Sequence, residues 1–400
     1  MSDSEPCPRL RIAVIGGSLG GLTAALLLRD LGHDVDVYER SNAELEERGA
    51  GIGFLEASYR YLVQRAGLSL DEVAIATDHI RYLRRDGSVR YQSDQHYRFS
   101  SWTTVYRRLL ACWGRDRYHL GVEMTGFDQV GDRVVVRFAG WSEAHCDLLV
   151  CADGVSSTAR SQLLPSARPA YAGYVAWRGT VPETALAGTT AARFRDAITY
   201  YVLADSHILV YPIPGSDGSL EPGRRLVNFV WYRNYLPGED LDDLMTGTDG
   251  ARREISLPPG MVRPEHLVEA RAVATARLPA PIAEVVNSVS DPFVQVIHDI
   301  EVPRMAFGRV CLIGDAAFAV RPHAAAGTAK AAADGWALAA ALADTGGDVT
   351  SALSRWEPGQ LDLGSRLLER TRLIGSRSQV DNTWDPADPE LIFGLEGPGR

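Results

Sequence analysis

No stretch of the 400-residue sequence approaches eighteen consecutive apolar residues, so a membrane-spanning helix is not expected. A basic excess is missing too: 41 Lys+Arg stand against 51 Asp+Glu, a formal charge of −10. The basic total is mostly arginine, scattered along the chain rather than gathered in one stripe, which excludes nucleic acid as a partner. Cysteine is scarce. The five present (Cys7, Cys112, Cys146, Cys151 and Cys311) form no CxxC pair and no zinc-like spacing. An odd count without a framework fits reduced thiols and a cytoplasmic location. Cys151 and Cys311 lie in apolar strand-like runs and read as small buried hydrophobes. The opening MSDSEPCPRL has no basic region followed by an apolar one, so no signal peptide is expected. Histidines and carboxylates show no metal spacing, so no metal is expected; His33, His145 and His266 sit in polar settings and read as solvated. What remains is an ordinary globular composition, 46% apolar and 23% charged, long enough for two or three domains.

The chain opens on a β–loop–α–β pattern. Ile12-Ala13-Val14-Ile15 is a short continuous apolar run, as in a strand buried on both faces of a parallel sheet. Residues 16–21 form a glycine-rich turn, 22–31 read as a helix with Gly32 closing it, and Val35-Asp36-Val37-Tyr38 return as a second strand ending in Glu39-Arg40. Two later apolar strands, Leu148-Leu149-Val150 and Val310-Cys311-Leu312-Ile313, have the same character. Between them, from about 171 to 292, aromatic and β-branched runs broken by Gly and Pro (171–179, 198–204, 207–212, 226–232) read as a mostly antiparallel sheet, and 79–97 has the same texture. The expected fold class is α/β: a discontinuous Rossmann-like domain (1–75, 99–170 and 294–345), an inserted, mostly antiparallel β-sheet domain (76–98 and 171–293), and C-terminal helices and tail (346–400). Helices are expected to about Ser378, and 381–400 is expected to be loop.

Three motifs carry chemistry. The first is Gly16-Gly17-Ser18-Leu19-Gly20-Gly21, where glycine permits a tight turn and a close helix–strand crossing, and the helix start offers N–H groups to a pyrophosphate. Gly16 and Gly21 hold the outer positions, and Ser18 stands where a middle glycine is usual. Glu39, with Arg40 beside it, ends the second strand where a ribose-binding carboxylate belongs. The second motif, Cys151-Ala152-Asp153-Gly154 leading to Arg160, and the third, Gly314-Asp315-Ala316-Ala317 followed by Arg321-Pro322-His323 and Gly327-Thr328, each come after an apolar strand. Either alone reads equally well as an Asp-Gly turn or a helix cap. The glycine-rich stretch from Gly49 through Ala50, Gly51, Ile52 and Gly53 reads as a loop that allows close approach of backbone to a ring.

This order of motifs resembles the single-component FAD-dependent aromatic hydroxylases, the para-hydroxybenzoate hydroxylase class, over most of the chain. The resemblance implies that the Rossmann-like domain binds FAD. It assigns Asp315 to the ribityl chain, Asp153, Gly154 and Arg160 to FAD and the nicotinamide cofactor, Pro322 to the region where oxygen reacts, and Gly327 and Thr328 to the pyrimidine end of the flavin. Cys151, Ser18 and Ala325 depart from the family's usual glycines. Tyr171-Ala172-Gly173-Tyr174-Val175, Trp177-Arg178-Gly179, Tyr211-Pro212-Ile213-Pro214-Gly215, Asn228-Phe229-Val230-Trp231-Tyr232 and Arg321-Pro322-His323-Ala324-Ala325-Ala326-Gly327 are similar to the 2,6-dihydroxypyridine 3-hydroxylase subfamily.

The resemblance implies that NADH or NADPH reduces FAD, oxygen adds to the reduced ring, and the resulting hydroperoxide passes oxygen to an electron-rich aromatic or N-heteroaromatic carbon. A small ring substrate, O2 and NAD(P)H are the implied partners, and a homodimer the expected assembly. His207 and Tyr211, four apart in one strand-like run, share a face and are candidates to orient or deprotonate a ring hydroxyl; His323, beside Pro322, is the third polar candidate. Of Tyr200, Tyr201, Tyr211, Trp231 and Tyr232, strand alternation sends about half into the insert's own core. A halogenase Trp-x-Trp-x-Ile-Pro signature is absent, since Arg178-Gly179 follows Trp177. A flavin-dependent tailoring enzyme, such as an epoxidase, and a non-catalytic flavin sensor are the alternative readings.

Overall fold

The structure, a computed structural model, describes residues 9–45 and 50–400. Cys7 and Gly49 lie outside the described residues. Among those described, no helix is long and apolar enough to cross a membrane.

The apolar strand Arg11–Ile15 is central to a six-stranded sheet. It pairs in parallel with Asp34–Glu39 on one side and Leu148–Cys151 on the other. Val310–Leu312 continues the parallel set beside Leu148–Cys151, and Tyr118–Leu120 beside Asp34–Glu39. Only the edge pair Ala306–Phe307 with Val310–Leu312 is antiparallel. These runs read as unbroken hydrophobicity because the sheet is covered on both faces. Helix Leu19–Asp30 packs on it and crosses helix Gly327–Asp344 closely. Gly335 allows that approach: a Cβ there would lie 3.1 Å from the Ala24 Cα.

The second sheet has nine strands in the order Ser256–Leu257, Phe293–Asp299, Ala170–Pro182, Leu226–Asn234, Ser206–Ile213, Ala197–Leu203, Ile75–Leu83, Val89–Ser101, Gly51–Gly53. Every pairing is antiparallel except that of Ala197–Leu203 with Ile75–Leu83. Alternation divides its residues cleanly. Trp177, Ile208, Val210, Phe229 and Trp231 pack beneath helices Pro264–Arg277 and Ala280–Ser288. Tyr174, Tyr200, Leu209, Tyr211 and Tyr232 point the other way, with Tyr82, Tyr97 and Phe99.

Four expectations differ from what is observed. Phe293–Asp299 belongs to the nine-stranded sheet, because its ladder to Ala170–Pro182 carries its hydrogen bonds; a boundary at 294 would cut that strand. The described part of the 49–53 segment is not loop, since Gly51–Gly53 pairs with Val89–Ser101 as an edge strand. His33 is buried, its Nδ1 accepting the Leu10 amide at 3.4 Å, and burial pulls its pKa down. His266 is only partly exposed and lies 3.3 Å from Asp243. The long C-terminal helix runs Val349–Gln379, and the segment after it folds back onto the tyrosine-rich face of the nine-stranded sheet.

Candidate active site

A cavity of about 700 Å³ lies between the two sheets. Its first wall is built from strand ends of the six-stranded sheet: Ser18 to Gly21 at the start of one helix, Ala152 and Gly154, Asp315, and Gly327 with Thr328 at the start of another. Both helix starts lack a side-chain cap, so their leading N–H groups are left for a ligand. The turn itself depends on glycine. Gly16 has φ +100, and a Cβ on Gly21 would meet the Gly16 carbonyl oxygen at 1.9 Å. Gly154 and Gly327 are different: both line the cavity, and a Cβ on either would meet no protein atom within 4 Å. At Gly327 glycine keeps space open rather than relieving a clash, and at Gly154 it does so while also meeting a left-handed backbone, φ +74.

The second wall is the tyrosine-rich face of the nine-stranded sheet, with Phe99, Leu209, Tyr211, Val230 and Tyr232. Phe99 stacks on Tyr211 with ring centroids 4.3 Å apart. Gly51 and Ile52 join at its edge, tied in where the Gly51 amide donates to Asn228 Oδ1 at 2.9 Å. Pro322 and Val320 close one side; Phe293, Gln295 and His298 close another.

Charge in the cavity is arranged unevenly. Asp315 is open to the cavity yet walled in by protein, and burial lifts its carboxyl to about 6 against the opposing pull of Lys330 and Arg160. Across from it, Arg178 donates to Gln295 Oε1 at 3.1 Å and to the Gly51 carbonyl at 2.8 Å. Its Nε has no hydrogen-bond partner, the guanidinium carbon lies 5.7 Å from the centre of the Phe293 ring, and no carboxylate pairs with it among the described residues. Burial raises the Tyr211 hydroxyl to about 12, with Arg178 opposing that rise.

Of the residues singled out from sequence, Ser18, Gly21, Gly51, Ile52, Gly154, Asp315, Pro322, Gly327, Thr328 and Tyr211 all face this cavity. Others stand behind it. Gly16 makes the turn. Glu39 is buried and spends its carboxylate on the amides of Gly17 and Ser41, both at 2.9 Å, while Arg40 is exposed. Asp153 accepts from the Ser157 hydroxyl at 2.6 Å and the Ala159 amide at 3.1 Å, which binds its own loop together. The Arg160 guanidinium is consumed by the carbonyls of Gly154, Val155, Ala167 and Ala316, so it clamps the second motif to the third.

The two histidines form a buried layer beneath Tyr232. The His207 and His323 rings lie 5.3 Å apart, tilted by 47°, each packs on Tyr232, and His323 Nε2 lies 2.7 Å from the Tyr174 hydroxyl. Burial drives His207 down to about 3 and His323 well below its ordinary value. Neither faces the cavity, and an imidazole held so far down is a poor base near neutrality.

Among the lining residues not anticipated from sequence, Arg178 and Phe393 matter most. Arg178 had a visible signal, a lone arginine inside an apolar run. Phe393 had none: it comes from the tail, lines the cavity and stacks on Tyr97 at 4.5 Å.

The residues present fit FAD. Two uncapped helix starts, the open spaces at Gly154 and Gly327, and an inward-facing carboxylate at Asp315 meet a pyrophosphate and a hydroxyl-bearing chain with the donors and acceptor each needs. Fold and site together define a flavin-dependent monooxygenase. Residues 171–299 match a model described as FAD binding domain-like, and 263–357 one described as FAD binding domain. The chain is 39% identical over 390 residues to 2,6-dihydroxypyridine 3-monooxygenase of Paenarthrobacter nicotinovorans, covering 96% of each. It is 27% identical to 6-hydroxynicotinate 3-monooxygenase of Bordetella bronchiseptica, over 96% of this chain and 95% of the relative. The solved structure of 2,6-dihydroxypyridine-3-hydroxylase from Arthrobacter nicotinovorans superposes with a TM-score of 0.92 at 37% identity, covering 99% of both chains. The chain belongs to the single-component FAD-dependent aromatic hydroxylases: it is a monooxygenase with FAD as cofactor and NAD(P)H as co-substrate.

Proposed function

We propose that the enzyme hydroxylates a hydroxyl-bearing N-heteroaromatic ring of the dihydroxypyridine type, bound as its anion. The carrying observation is Arg178, a cation lining an aromatic-walled cavity with no carboxylate partner among the described residues. A half-buried cation answered only by a side-chain amide, a carbonyl and an aromatic face is partly desolvated without a counter-charge, and an ionised ring hydroxyl relieves that cost. The same ionisation pushes electron density into the ring, which is what electrophilic hydroxylation needs. The identity to the two pyridine-ring monooxygenases supports the ring class.

FAD, when bound, supplies electron transfer from the nicotinamide and the activation of O2. The chain's own residues do the rest. The N–H groups after Ser18 and Gly21 would receive the pyrophosphate, with Glu39 and Arg40 toward the ribose end, and Asp315 would accept hydrogen bonds from the ribityl hydroxyls. Gly327 and Thr328 would hold the pyrimidine end of the flavin, and Gly51, Ile52 and Pro322 would border it. Asp153, Gly154 and Arg160 shape the loop beside the cofactor. Tyr211, Tyr232 and Phe99 hold the substrate ring flat, and Phe393 and Val320 help exclude water, which protects the activated oxygen from wasteful loss. His207 and His323 act through Tyr232 as positioning residues. Cytoplasmic residence and a homodimer complete the reading; unpaired cysteines, three of them buried, support the first, and light scattering measures the second.

The test is a panel of pyridine and phenol substrates scored by product formed per NAD(P)H consumed. Dihydroxypyridines should accelerate NAD(P)H oxidation with product matching the nicotinamide used. Peroxide accounting for all the NAD(P)H with every hydroxypyridine would overturn the substrate class.

A further inference from the structure

A single lysine stands among the 41 Lys+Arg of the chain; every other basic side chain is arginine. That lysine, Lys330, lies near the start of helix Gly327–Asp344 and is 1% exposed. Its ammonium donates to both carboxylate oxygens of Asp334 at 2.8 Å and sits 5.0 Å from the centre of the Phe318 ring. Asp334, 0% exposed, also accepts the Gly314 amide at 2.8 Å, and its main-chain carbonyl accepts Trp356 Nε1 at 3.0 Å. The pair therefore sits directly behind the turn that presents Asp315 to the cavity.

Stability alone gives little reason for such a pair, since a buried ion pair is often replaceable by apolar side chains at no loss. Its location gives a better one. The charges facing Asp315 come from two elements: Lys330 on helix Gly327–Asp344 and Arg160 on helix Thr158–Leu163. Arg160 is shared, because it also faces Asp153 and is fixed by four carbonyls. Lys330 adds a second, compact charge where a planar guanidinium with five donors would leave several unsatisfied.

We propose that Lys330 is a positioning residue of the FAD site: its ammonium, held by Asp334 behind the Gly314-Asp315 turn, supplies the positive field that keeps Asp315 a carboxylate facing the ribityl hydroxyls. The inference rests on the role given to Asp315 above. It predicts that FAD affinity depends on pH through Asp315, and that Lys330 sets where that dependence falls. Burial lifts the Asp315 carboxyl, so removing the opposing cation lifts it further and moves the loss of affinity toward neutral pH.

The test titrates apoprotein with FAD, read by flavin fluorescence, from pH 5.5 to 8.5. K330M/D334N removes both buried charges together, and the asparagine oxygen still accepts the Gly314 amide. A shift of about one pKa unit weakens FAD binding about tenfold where Asp315 is protonated, with affinity recovering at the alkaline end. D315N, which cannot ionise, should bind weakly at every pH. If the folded double variant keeps wild-type affinity and pH profile, or loses affinity equally at all pH values, the role of Lys330 is overturned. If D315N instead keeps wild-type affinity and profile, the Asp315 assignment is what fails. Should K330M/D334N not fold, K330Q/D334N, a neutral pair that can hydrogen-bond, carries the same test.

Discussion

Arg178 shows how one side chain can set substrate class. It stands on strand Ala170–Pro182, where its neighbours Trp177 and Gly179 are buried, and it reaches the cavity between Gln295 and the Gly51 carbonyl. A guanidinium so placed costs desolvation unless an anion answers it. Replacing it by methionine keeps the stem's volume and removes the charge. R178M should weaken binding of an ionised hydroxypyridine about 10- to 100-fold, the worth of a charge-assisted hydrogen bond. A ring analogue without an ionisable hydroxyl should bind nearly as before. Equilibrium binding of the two ligands to the FAD-loaded protein makes the comparison, and an equal loss for both would mean that Arg178 shapes the wall without reading charge.

At the scale of elements, the sequence made the cofactor wall legible because each part of it is local. A buried parallel strand is a short apolar run, and the ligand-facing turn begins within a few residues of its end; Ser18, Gly154 and Asp315 all sit at such ends. The substrate wall was legible only as alternation, which told which tyrosines share a face but not which of them reach the cavity. Tyr211 and His207 do lie on one face, yet Tyr232 stands between His207 and the cavity. The tail was illegible for a different reason. Its partners are remote in sequence: the Phe393 amide donates to the Tyr97 hydroxyl across 296 positions, and Trp384 Nε1 donates to the Tyr82 hydroxyl. No periodicity in a Pro/Gly-rich segment announces such contacts.

What holds that tail is mainly Arg370, whose guanidinium donates to the carbonyls of Glu390, Ile392 and Gly394. Three donors from one rigid fork fix a loop that has no ladder of its own. R370A should free the segment locally by about 1–3 kcal/mol, so amide exchange at Phe393 and Gly394 should quicken about 10- to 100-fold. Helix Val349–Gln379 should keep its protection. Because Phe393 lines the cavity, the variant should also lose product per NAD(P)H consumed as water gains entry. Unchanged exchange at those two amides would show that Tyr97 and the aromatic stacking suffice to hold the tail.

Over the whole molecule, the side chains packed behind Tyr232, away from the cofactor wall, are closely enclosed, and that enclosure makes a measurable demand on stability. His207 is the clearest reporter: fully enclosed, it is pushed down to about 3 by burial, with the Gln379 hydrogen bond pulling weakly the other way. In the unfolded chain its pKa returns to about 6.5. Between those two values the unfolded state binds a proton that the native state refuses, so stability falls as pH falls through the window and levels off only below the native value. H207Q removes that demand while keeping a polar side chain beside Gln379. Denaturant unfolding between pH 6 and pH 5 should therefore show wild type losing about 1.4 kcal/mol more per pH unit than the variant, whatever the constant offset between them. Asp315 works in the opposite direction, its raised carboxyl gaining a proton in the native state first, but it is present in both proteins and cancels in the difference. Parallel curves would mean that His207 accepts a proton in the folded enzyme, and with it that the layer behind Tyr232 is wetter than its packing implies.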